Sequence, residues 1–497
     1  HSFVPGKIQG EFNGSKHKLA VAIEVARLKY ASTAIDSFTV KINSDSAELR
    51  YKIRFKNALV DAIRVAALEL SGKIAHDTIQ TKLVVLDSAS ESKYALGGII
   101  KSDSTNFQFH LDPKLVMLNY EDWTVPLDNY LQVGARGLTT HNFNLSKGPE
   151  KFSIISVPQD SSIDFQFKQW QLSNLTNLAE GLVPASGQLN GNFKITTSKK
   201  GVFNSTLTIK EFTILEKIWG DVFLSLNYVS NRYTLDLKVK GDQTNFIAKG
   251  FYVPNPSAFD FNIDLDKFDL RLIETLSFGQ LKNVKGFING SMHLSGNIDA
   301  PTLRGGLTFK DASFLSTYAH NSFSLKNERI SFEDKGIVLP DFRLVDSDNN
   351  TATIKGAILT KAYKDFDFDL KVVSRNFQVL NTTIDDNTLY YGNVKVSATA
   401  GITGNINQPK LNIAAELSDG SEVTYVVPVA EKNALEQKGI VQFVSSKKNK
   451  DPFLVDLNLG DTIKSIFRGM DVEATLELTD KSILNIIMIR SPEINYP

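Results

Sequence analysis

Histidines and carboxylates are the residues of this 497-residue chain whose types could support catalysis or metal binding. Histidine exchanges protons near neutral pH and ligates metals. His293 lies opposite the apolar positions of an alternating segment, Gly290-Ser-Met-His-Leu, and this pattern predicts a histidine on the surface of a strand. No two histidines stand at a metal-ligand spacing, and no HExxH sequence occurs. The seven histidines are His1, His17, His76, His110, His141, His293 and His320.

The carboxylates alternate with aromatic and aliphatic residues. Asp260, Asp264, Asp367 and Asp369 each stand between apolar residues, which places them on the water-facing side of predicted strands, where a general acid and base pair is not expected. The GxSxG, GxGxxG and P-loop sequences do not occur. The sequence therefore predicts a protein that is not an enzyme and that uses no metal and no cofactor.

Composition excludes further classes of function. The chain has no cysteine, so it has no disulfides, no catalytic thiolates and no cysteine metal sites. The 55 basic residues balance the 55 acidic ones without a basic block, which argues against nucleic-acid binding. Lys199-Lys200 and Ser445–Lys450 are interpreted as solvated turns. No run approaches the ~18 uncharged apolar residues that a membrane helix needs.

Alternation with a period of two dominates the chain and predicts strands with one apolar and one wet face. The segments Phe259–Asp266 and Phe366–Val372 show it most clearly. At one strand per ~12–14 residues, we expect roughly 35–40 strands. Turns are predicted between them. These are at Asn13-Gly14, Asp346–Asn350, Asp385–Asn387 and Asp419-Gly420.

Helix signals are short. Leu172–Leu178 and Leu270–Leu276 have apolar residues at helical spacing, and each precedes a glycine-containing strand, which predicts helices of one or two turns. The segment Asn57–Gly72 is ambiguous between helix and strand. We favour a strand, because Val65–Leu70 leads directly into Ser71-Gly72.

A strand signature recurs about every hundred residues, which is typical of a stacked repeat architecture. Trp170-Gln-Leu172 leads to Gly187-x-Leu189-x-Gly191, Phe268-Asp-Leu270 leads to Gly286-x-Ile288-x-Gly290, and Phe377-Gln-Val379 leads to Gly392-x-Val394-x-Val396. The paired glycines favour strongly bent strands. The alternative is that they only terminate strands.

These patterns predict an all-β fold in which an elongated, curved sheet rolls into an open groove, with a few short helices. A closed sandwich or barrel core would need the same alternation, but the recurrence without linkers favours the groove. The apolar positions predicted to line it are Phe259, Phe261, Ile263, Leu265, Leu307, Phe309, Ile330, Phe332, Phe342, Leu344, Phe366, Phe368, Leu370 and Val372.

Several segments, in their order and spacing, resemble the C-terminal domain of the TamB family. The segments Val426–Pro428 and Glu436–Phe443 are similar to the Bacteroidota branch of that family. The resemblance extends from about Ser186 to Leu484, and residues 1–185 more loosely resemble the AsmA-like repeats that precede the domain. The other segments are Pro301–Phe314 with Tyr318, Leu325–Phe332, Phe342–Asp346, Ala352–Gly356, Tyr391-Gly392 and Gly404–Pro409.

The resemblance implies two continuous regions, AsmA-like β repeats over residues 1–185 and TamB-type repeats over 186–497. It implies a taco-shaped groove like that of bridge-like lipid transfer proteins, in a periplasmic protein anchored in the inner membrane. The anchor is not in this chain, which begins at His1 and is expected to be part of a longer protein. The expected barrel-docking end is also not recognisable after Ile489.

The function that the resemblance implies is transport of phospholipid along the groove between the inner and outer membranes. The implied partners are phospholipid and an outer-membrane barrel protein of the BamA type, similar to TamA. The alternative is a factor that assembles outer-membrane β-barrel proteins by offering strand edges to them. A structural tether is a third possibility.

Overall fold

The computed structural model describes residues 2–3, 6–30, 33–60, 63–102, 105–134, 137–178, 184–196, 202–277, 279–427 and 471–488. Four segments that the sequence analysis singled out lie wholly or partly outside these ranges: Lys199-Lys200, Ser445–Lys450, Glu436–Phe443 and the end of Val426–Pro428. The chain divides into two compact units, His1–Phe261 and Asn262–Pro497.

The first unit begins with a sheet whose strands follow one another nearly in chain order. Its order is β1-β3-β4-β5-β8-β9-β10-β11-β13-β14, with β2, β6, β7 and β12 paired at its sides. All its pairings are antiparallel. The strands are β1 (Ser2–Phe3), β2 (Lys7–Asn13), β3 (Lys18–Tyr30), β4 (Thr33–Ser44), β5 (Leu49–Phe55), β6 (Asn57–Val60), β7 (Ile63–Val65), β8 (Ala67–Ala75), β9 (Thr78–Leu86), β10 (Ser92–Ser102), β11 (Phe107–Leu118), β12 (Glu121–Asp122), β13 (Tyr130–Gly134) and β14 (Gly137–His141).

A second series of strands in the first unit pairs antiparallel in chain order. A 3₁₀ turn, Pro158–Asp160, and the short helix α1, Ser173–Thr176, interrupt it. The strands are β15 (Asn144–Lys147), β16 (Glu150–Val157), β17 (Ser162–Gln171), β18 (Ala185–Thr196), β19 (Val202–Ile214), β20 (Lys217–Val229), β21 (Arg232–Lys240), β22 (Asn245–Pro254) and β23 (Ser257–Asp269), which contains the border between the units.

The second unit opens with helix α2, Arg271–Leu276. Its strands also pair in chain order, except that β25 and β28 each pair with both β26 and β27, and β31 pairs with both β32 and β33. The last two strands run parallel to β32 and β33. The strands are β24 (Leu281–Gly296), β25 (Pro301–Ser316), β26 (Asn321–Leu325), β27 (Glu328–Glu333), β28 (Gly336–Val345), β29 (Thr351–Lys361), β30 (Asp365–Thr382), β31 (Tyr390–Asn405), β32 (Lys410–Leu417), β33 (Glu422–Val427), β34 (Asp471–Leu478) and β35 (Ile483–Met488).

The predicted elements are confirmed. The described residues form 35 strands, and the fold is all-β with large, curved and mainly antiparallel sheets. Both short helices lie where the leucine spacing predicts them, and the ambiguous segment Asn57–Gly72 forms strands. The four predicted turns separate strands. The domain border that the resemblance implies, at residue 185, stays a prediction.

Direct pairing places apolar residues of successive strands on one face of each sheet, in rows that cross many strands. Such cross-strand neighbours are the unit from which a sheet gains stability. In the second unit one row joins Leu339, Gly356, Leu370, Ile402, Leu411 and Val472. In the first unit one row joins Ile8, Ile23, Val40, Ile53, Leu70, Leu83, Leu96 and Val116. Another joins Phe152, Phe167, Gly191, Leu207, Leu224, Leu237 and Ala248.

Parts of these apolar faces are packed into buried clusters, and the repeated signature marks them. Trp170 lies in a cluster of the first unit, 4.7 Å from Trp123. Leu270 and Phe377 lie in two clusters of the second unit. The backbone N–H of Leu270 donates to Gly286, as that of Leu172 donates to Gly187. Each repeat therefore contributes residues to a buried cluster, and the third contributes to two, since Val394 and Val396 lie in a separate cluster from Phe377.

The sheet of the second unit curves toward its apolar face. The rings of Phe323 in β26 and Phe377 in β30 stack with centroids 5.5 Å apart, although β28 and β29 lie between these strands in the sheet order. Small Ala352, which is 5% exposed, lies in the same cluster. In a flat sheet, two intervening strands would hold Phe323 and Phe377 ~14 Å apart. Their contact therefore requires a strongly bent sheet.

The predicted paired glycines lie inside strands and support the bending that the sequence indicates. Gly290 has a φ of 146°, and a Cβ there would stand 2.0 Å from the carbonyl oxygen of Gly306 in the next strand. Gly356 repeats this arrangement with a φ of 132° and 2.1 Å to the carbonyl oxygen of Asp369. Only glycine tolerates such a close approach with this backbone.

Replacing Gly356 with alanine should lower the free energy of unfolding by more than about 1–3 kcal/mol, because backbone strain and the clash with Asp369 add together. The matched control is Gly401→Ala in β31, where a Cβ meets nothing within 4 Å, and a change of less than ~1 kcal/mol is expected. Chemical denaturation of both variants measures the difference. Equal midpoints would contradict the role given to Gly356.

Truncation of Phe377 to alanine should cost about 3–5 kcal/mol, as is usual for a buried aromatic residue. Phe377 is 5% exposed. Phe368 in the same strand is half-buried and belongs to none of the buried clusters, so Phe368→Ala should cost less than half as much. The same denaturation experiment compares the two, and equal losses would show that both ends of β30 are packed alike.

Candidate functional site

The candidate site of the second unit is the part of the apolar face that is not packed. Strands β29 to β32 carry there a strip of aliphatic and aromatic side chains that are half-buried and lie outside the buried clusters. We call it the open strip of the second unit. It consists of Ile354, Ile358, Phe366, Phe368, Leu370, Val372, Ile402, Leu411 and Ile413.

Strict alternation in β30 builds the centre of the open strip. Phe366, Phe368, Leu370 and Val372 are half-buried, while Asp367, Asp369 and Lys371 between them are exposed. Direct pairing continues the strip into the neighbours, since Ile358 and Ile402 face Phe368 and Leu370. The sheet is thus apolar on the face that carries the open strip and exposed to water on the opposite face, as the alternation predicts.

The fourteen predicted lining residues fall into two groups. The seven outside the buried clusters are Phe259, Phe261, Ile263, Phe366, Phe368, Leu370 and Val372. The other seven belong to the packed part of the face or contact it: Leu265, Leu307, Phe309, Ile330, Phe332, Phe342 and Leu344. Contact with lipid is untested for both groups and stays a prediction.

Sequence reasoning missed a comparable strip in the first unit. Leu224 and Leu226 of β20 face Leu237 and Leu235 of β21, and all four are half-buried outside the buried cluster. We call these four leucines the open strip of the first unit. The alternation in Phe223–Leu226 and Leu235–Val239 is the signal that could have located it.

The turns beside the open strip of the second unit are polar and tied to one another. The guanidinium of Arg304 makes two hydrogen bonds of 2.8 Å to Asp334, and this partner lowers the pKa of that carboxyl. Lys364 lies 3.5 Å from Asp299. The hydroxyl of Tyr363 donates to the Leu303 carbonyl at 3.4 Å. The strip thus ends at a polar rim whose charges are paired.

Burial first, and then the nearby Asp334 charge, raises the pKa of Tyr363. Both effects disfavour the phenolate, so Tyr363 is a neutral hydrogen-bond donor at physiological pH. Its ring lies 6.5 Å from that of Phe366, edge to face. The polar rim and the apolar strip therefore meet at this pair of residues.

The opposite end of the bent strands holds the packed part together. The backbone N–H of Asn381 donates to Ala319 at 2.8 Å, and Asn321 donates to the Gln378 carbonyl at 3.0 Å. The carboxylate of Asp386 lies 3.2 Å from His320. Hydrogen bonds from Thr383 lower the pKa of Asp386. These contacts close β25 and β26 against β30 over the stacked phenylalanines.

The described residues contain no group of three or more histidine, aspartate or glutamate side chains arranged to hold a metal ion. Within the same residues, none of the helices has the length and apolar character needed to cross a bilayer. What this arrangement can do chemically is to shelter apolar groups of another molecule along a continuous strip.

Comparison with known proteins bears on the second unit. Residues 341–487 match the family model of the TamB C-terminal domain, and this range contains strands β29 to β34 and the whole open strip of the second unit. Searches of curated proteins and of solved structures found no match. The match supports the predicted resemblance, and residues 341–487 of this chain are similar to the C-terminal domain of the TamB family.

Proposed function

We propose that this protein is a non-enzymatic lipid conduit of the periplasm, which shelters phospholipid acyl chains on its open strips between the inner and outer membranes. The observation that carries the proposal is the row of half-buried apolar side chains that passes from strand to strand and ends at a polar rim. A pocket for one ligand would be enclosed, whereas the open strip of the second unit crosses four neighbouring strands, β29 to β32.

Energetics favour an apolar occupant. Each methylene removed from water contributes about 0.8 kcal/mol, so two acyl chains bind to such a strip without specific head-group contacts. Large contiguous apolar surfaces on soluble proteins usually mark interaction sites. A binding surface made only of aliphatic and aromatic groups also lets a chain slide, since each new position offers the same kind of contact.

The family match supports a role in the cell envelope, in outer-membrane protein assembly or lipid transport, without distinguishing the two. The family is generally associated with the outer-membrane protein TamA, so a barrel protein of that kind is the proposed partner. Anchoring of the full-length protein in the inner membrane is part of the same proposal.

Assembly of barrel proteins is the second candidate function, and the last strands favour it. Every residue of β34, Asp471–Leu478, is exposed, and its apolar residues Val472, Leu476 and Leu478 are 42–52% exposed. Within the described residues, no further strand pairs with the outer side of β34 or β35. A client strand could pair there by β-augmentation.

Photo-crosslinkers placed at Phe366, Phe368 and Leu370 should capture lipid, because these side chains belong to the open strip. The same crosslinkers at Asp367 and Asp369 should capture none, because these positions face water. Mass spectrometry of the crosslinked full-length protein from cells measures both sets. Equal capture by both sets would contradict the proposed site.

Replacing Phe368 with arginine should block lipid transfer between vesicles, because a sliding acyl chain would have to leave its apolar contacts or desolvate the charge. The matched control is Val373→Arg on the opposite face of the same strand, where the side chain is 42% exposed and transfer should be unchanged.

Insertion of a client barrel protein is measured beside transfer, with the same two variants in the full-length protein. Backbone hydrogen bonds drive augmentation at a strand edge, so an assembly factor should be nearly indifferent to Phe368→Arg. Normal transfer by a folded Phe368→Arg variant would exclude the conduit, and normal transfer together with normal client insertion would favour the assembly function.

A further inference from the structure

Three tyrosines form a row across neighbouring strands of the first unit. Tyr228 of β20 pairs directly with Tyr233 of β21, which pairs with Tyr252 of β22. Their ring centroids are 4.4 Å and 6.2 Å apart in turn. We call these three residues the tyrosine row. Direct pairing places all three rings on one face of the sheet.

The tyrosine row lies at the end of the open strip of the first unit, on the same face. In β20 the strip residues Leu224 and Leu226 precede Tyr228 with a spacing of two, and in β21 Leu235 and Leu237 follow Tyr233 in the same way. Residues of one strand that are two apart share a face. On this face, each of the two strands thus carries leucines along its length and a tyrosine at the end beside the turn that joins them.

The turns beyond the row are polar and carry little charge. Ser230 and Asn231 join β20 to β21, and the Asn231 side chain donates to the Asn255 carbonyl of the next turn at 2.6 Å. Arg232, which precedes Tyr233 in the sequence, lies on the reverse face, where its guanidinium carbon is 3.7 Å from the ring centroid of Phe251. No charged side chain therefore belongs to the row itself.

The three hydroxyls have no hydrogen-bond partner among the described residues of the protein. Tyr233 is 36% exposed, and Tyr228 and Tyr252 are half-buried. A tyrosine combines an apolar ring with a polar tip, and it is enriched where an apolar region meets a polar one, as at membrane interfaces. The row has this geometry without a membrane around it.

We propose that the tyrosine row is a lipid-binding site for the ester region of diacyl phospholipids, in which the hydroxyls donate hydrogen bonds to ester carbonyls while the acyl chains lie on the neighbouring leucines. The inference rests on the proposed lipid conduit and specifies where the lipid is aligned. An uncharged row recognises the carbonyls that different diacyl phospholipids share, so binding at this site does not depend on the charge of the head group.

The test compares a diester phosphatidylcholine with its diether analogue of equal chain length, which lacks both carbonyls. Binding of each lipid to the whole chain is measured by fluorescence of a labelled acyl chain. The diester should bind about threefold to tenfold more tightly, the ratio that one hydrogen bond of ordinary strength gives. A triple variant should bind both lipids with the affinity that the wild-type protein has for the diether. This variant combines Tyr228→Phe, Tyr233→Phe and Tyr252→Phe.

Two controls keep the outcome interpretable. Tyr318→Phe removes the hydroxyl of an exposed tyrosine outside the row and should preserve the preference for the diester. The single variant Tyr233→Phe replaces the most exposed residue of the row and should by itself reduce the preference. It provides the test if the triple variant folds poorly. The circular dichroism spectrum and melting temperature of each variant establish that it is folded.

The possible results separate the inference from the function on which it rests. If the wild-type protein binds both lipids equally, or if the triple variant keeps the diester preference, the tyrosine row does not bind ester groups, while the conduit stands. If the wild-type protein binds neither lipid, the conduit fails and the tyrosine row fails with it.

Discussion

Direct pairing between neighbouring strands is the constraint on which the rest of the structure depends. Paired residues share a face of the sheet, so one register error would move every apolar side chain of a strand to the wet side. The rows through Leu370 in the second unit and through Leu224 in the first show the pairing maintained across many strands. Strips, clusters and polar rims all follow from that shared register.

Bulges keep the apolar face continuous where strict alternation would lose it. In β25, Leu307 and Phe309 share the apolar side with Ala312 and Phe314, because the chain takes an extra step at Asp311, whose φ is 46°. In β30 the same change of phase, with Asn376 at a φ of 46°, brings Phe377 onto the face that carries Phe368. Bulges also bend strands, so the same bulges keep the apolar residues on one face and curve the sheet.

Much of the fold could be predicted from the sequence, because alternation and turn residues are local signals. The strands, both short helices and the internal glycines were predicted on those grounds. The separation of packed from open residues could not be. Leu307 and Leu370 show the same alternation, but Leu307 lies in a buried cluster because β25 contacts both β26 and β27, which depends on pairing between distant residues. The tyrosine row likewise becomes visible only when three strands are aligned.

The division of the apolar face explains how one sheet can be both stable and open. Residues that stay half-exposed contribute less to folding than buried ones, so a sheet made only of open strips would be marginal. The cluster around Phe323, Ala352 and Phe377 supplies burial at one end of the bent strands, and the polar rim around Tyr363 pairs its charges at the other. Phe368 and Leu370, between these two ends, need not complete the core, and their side chains are left for an apolar occupant.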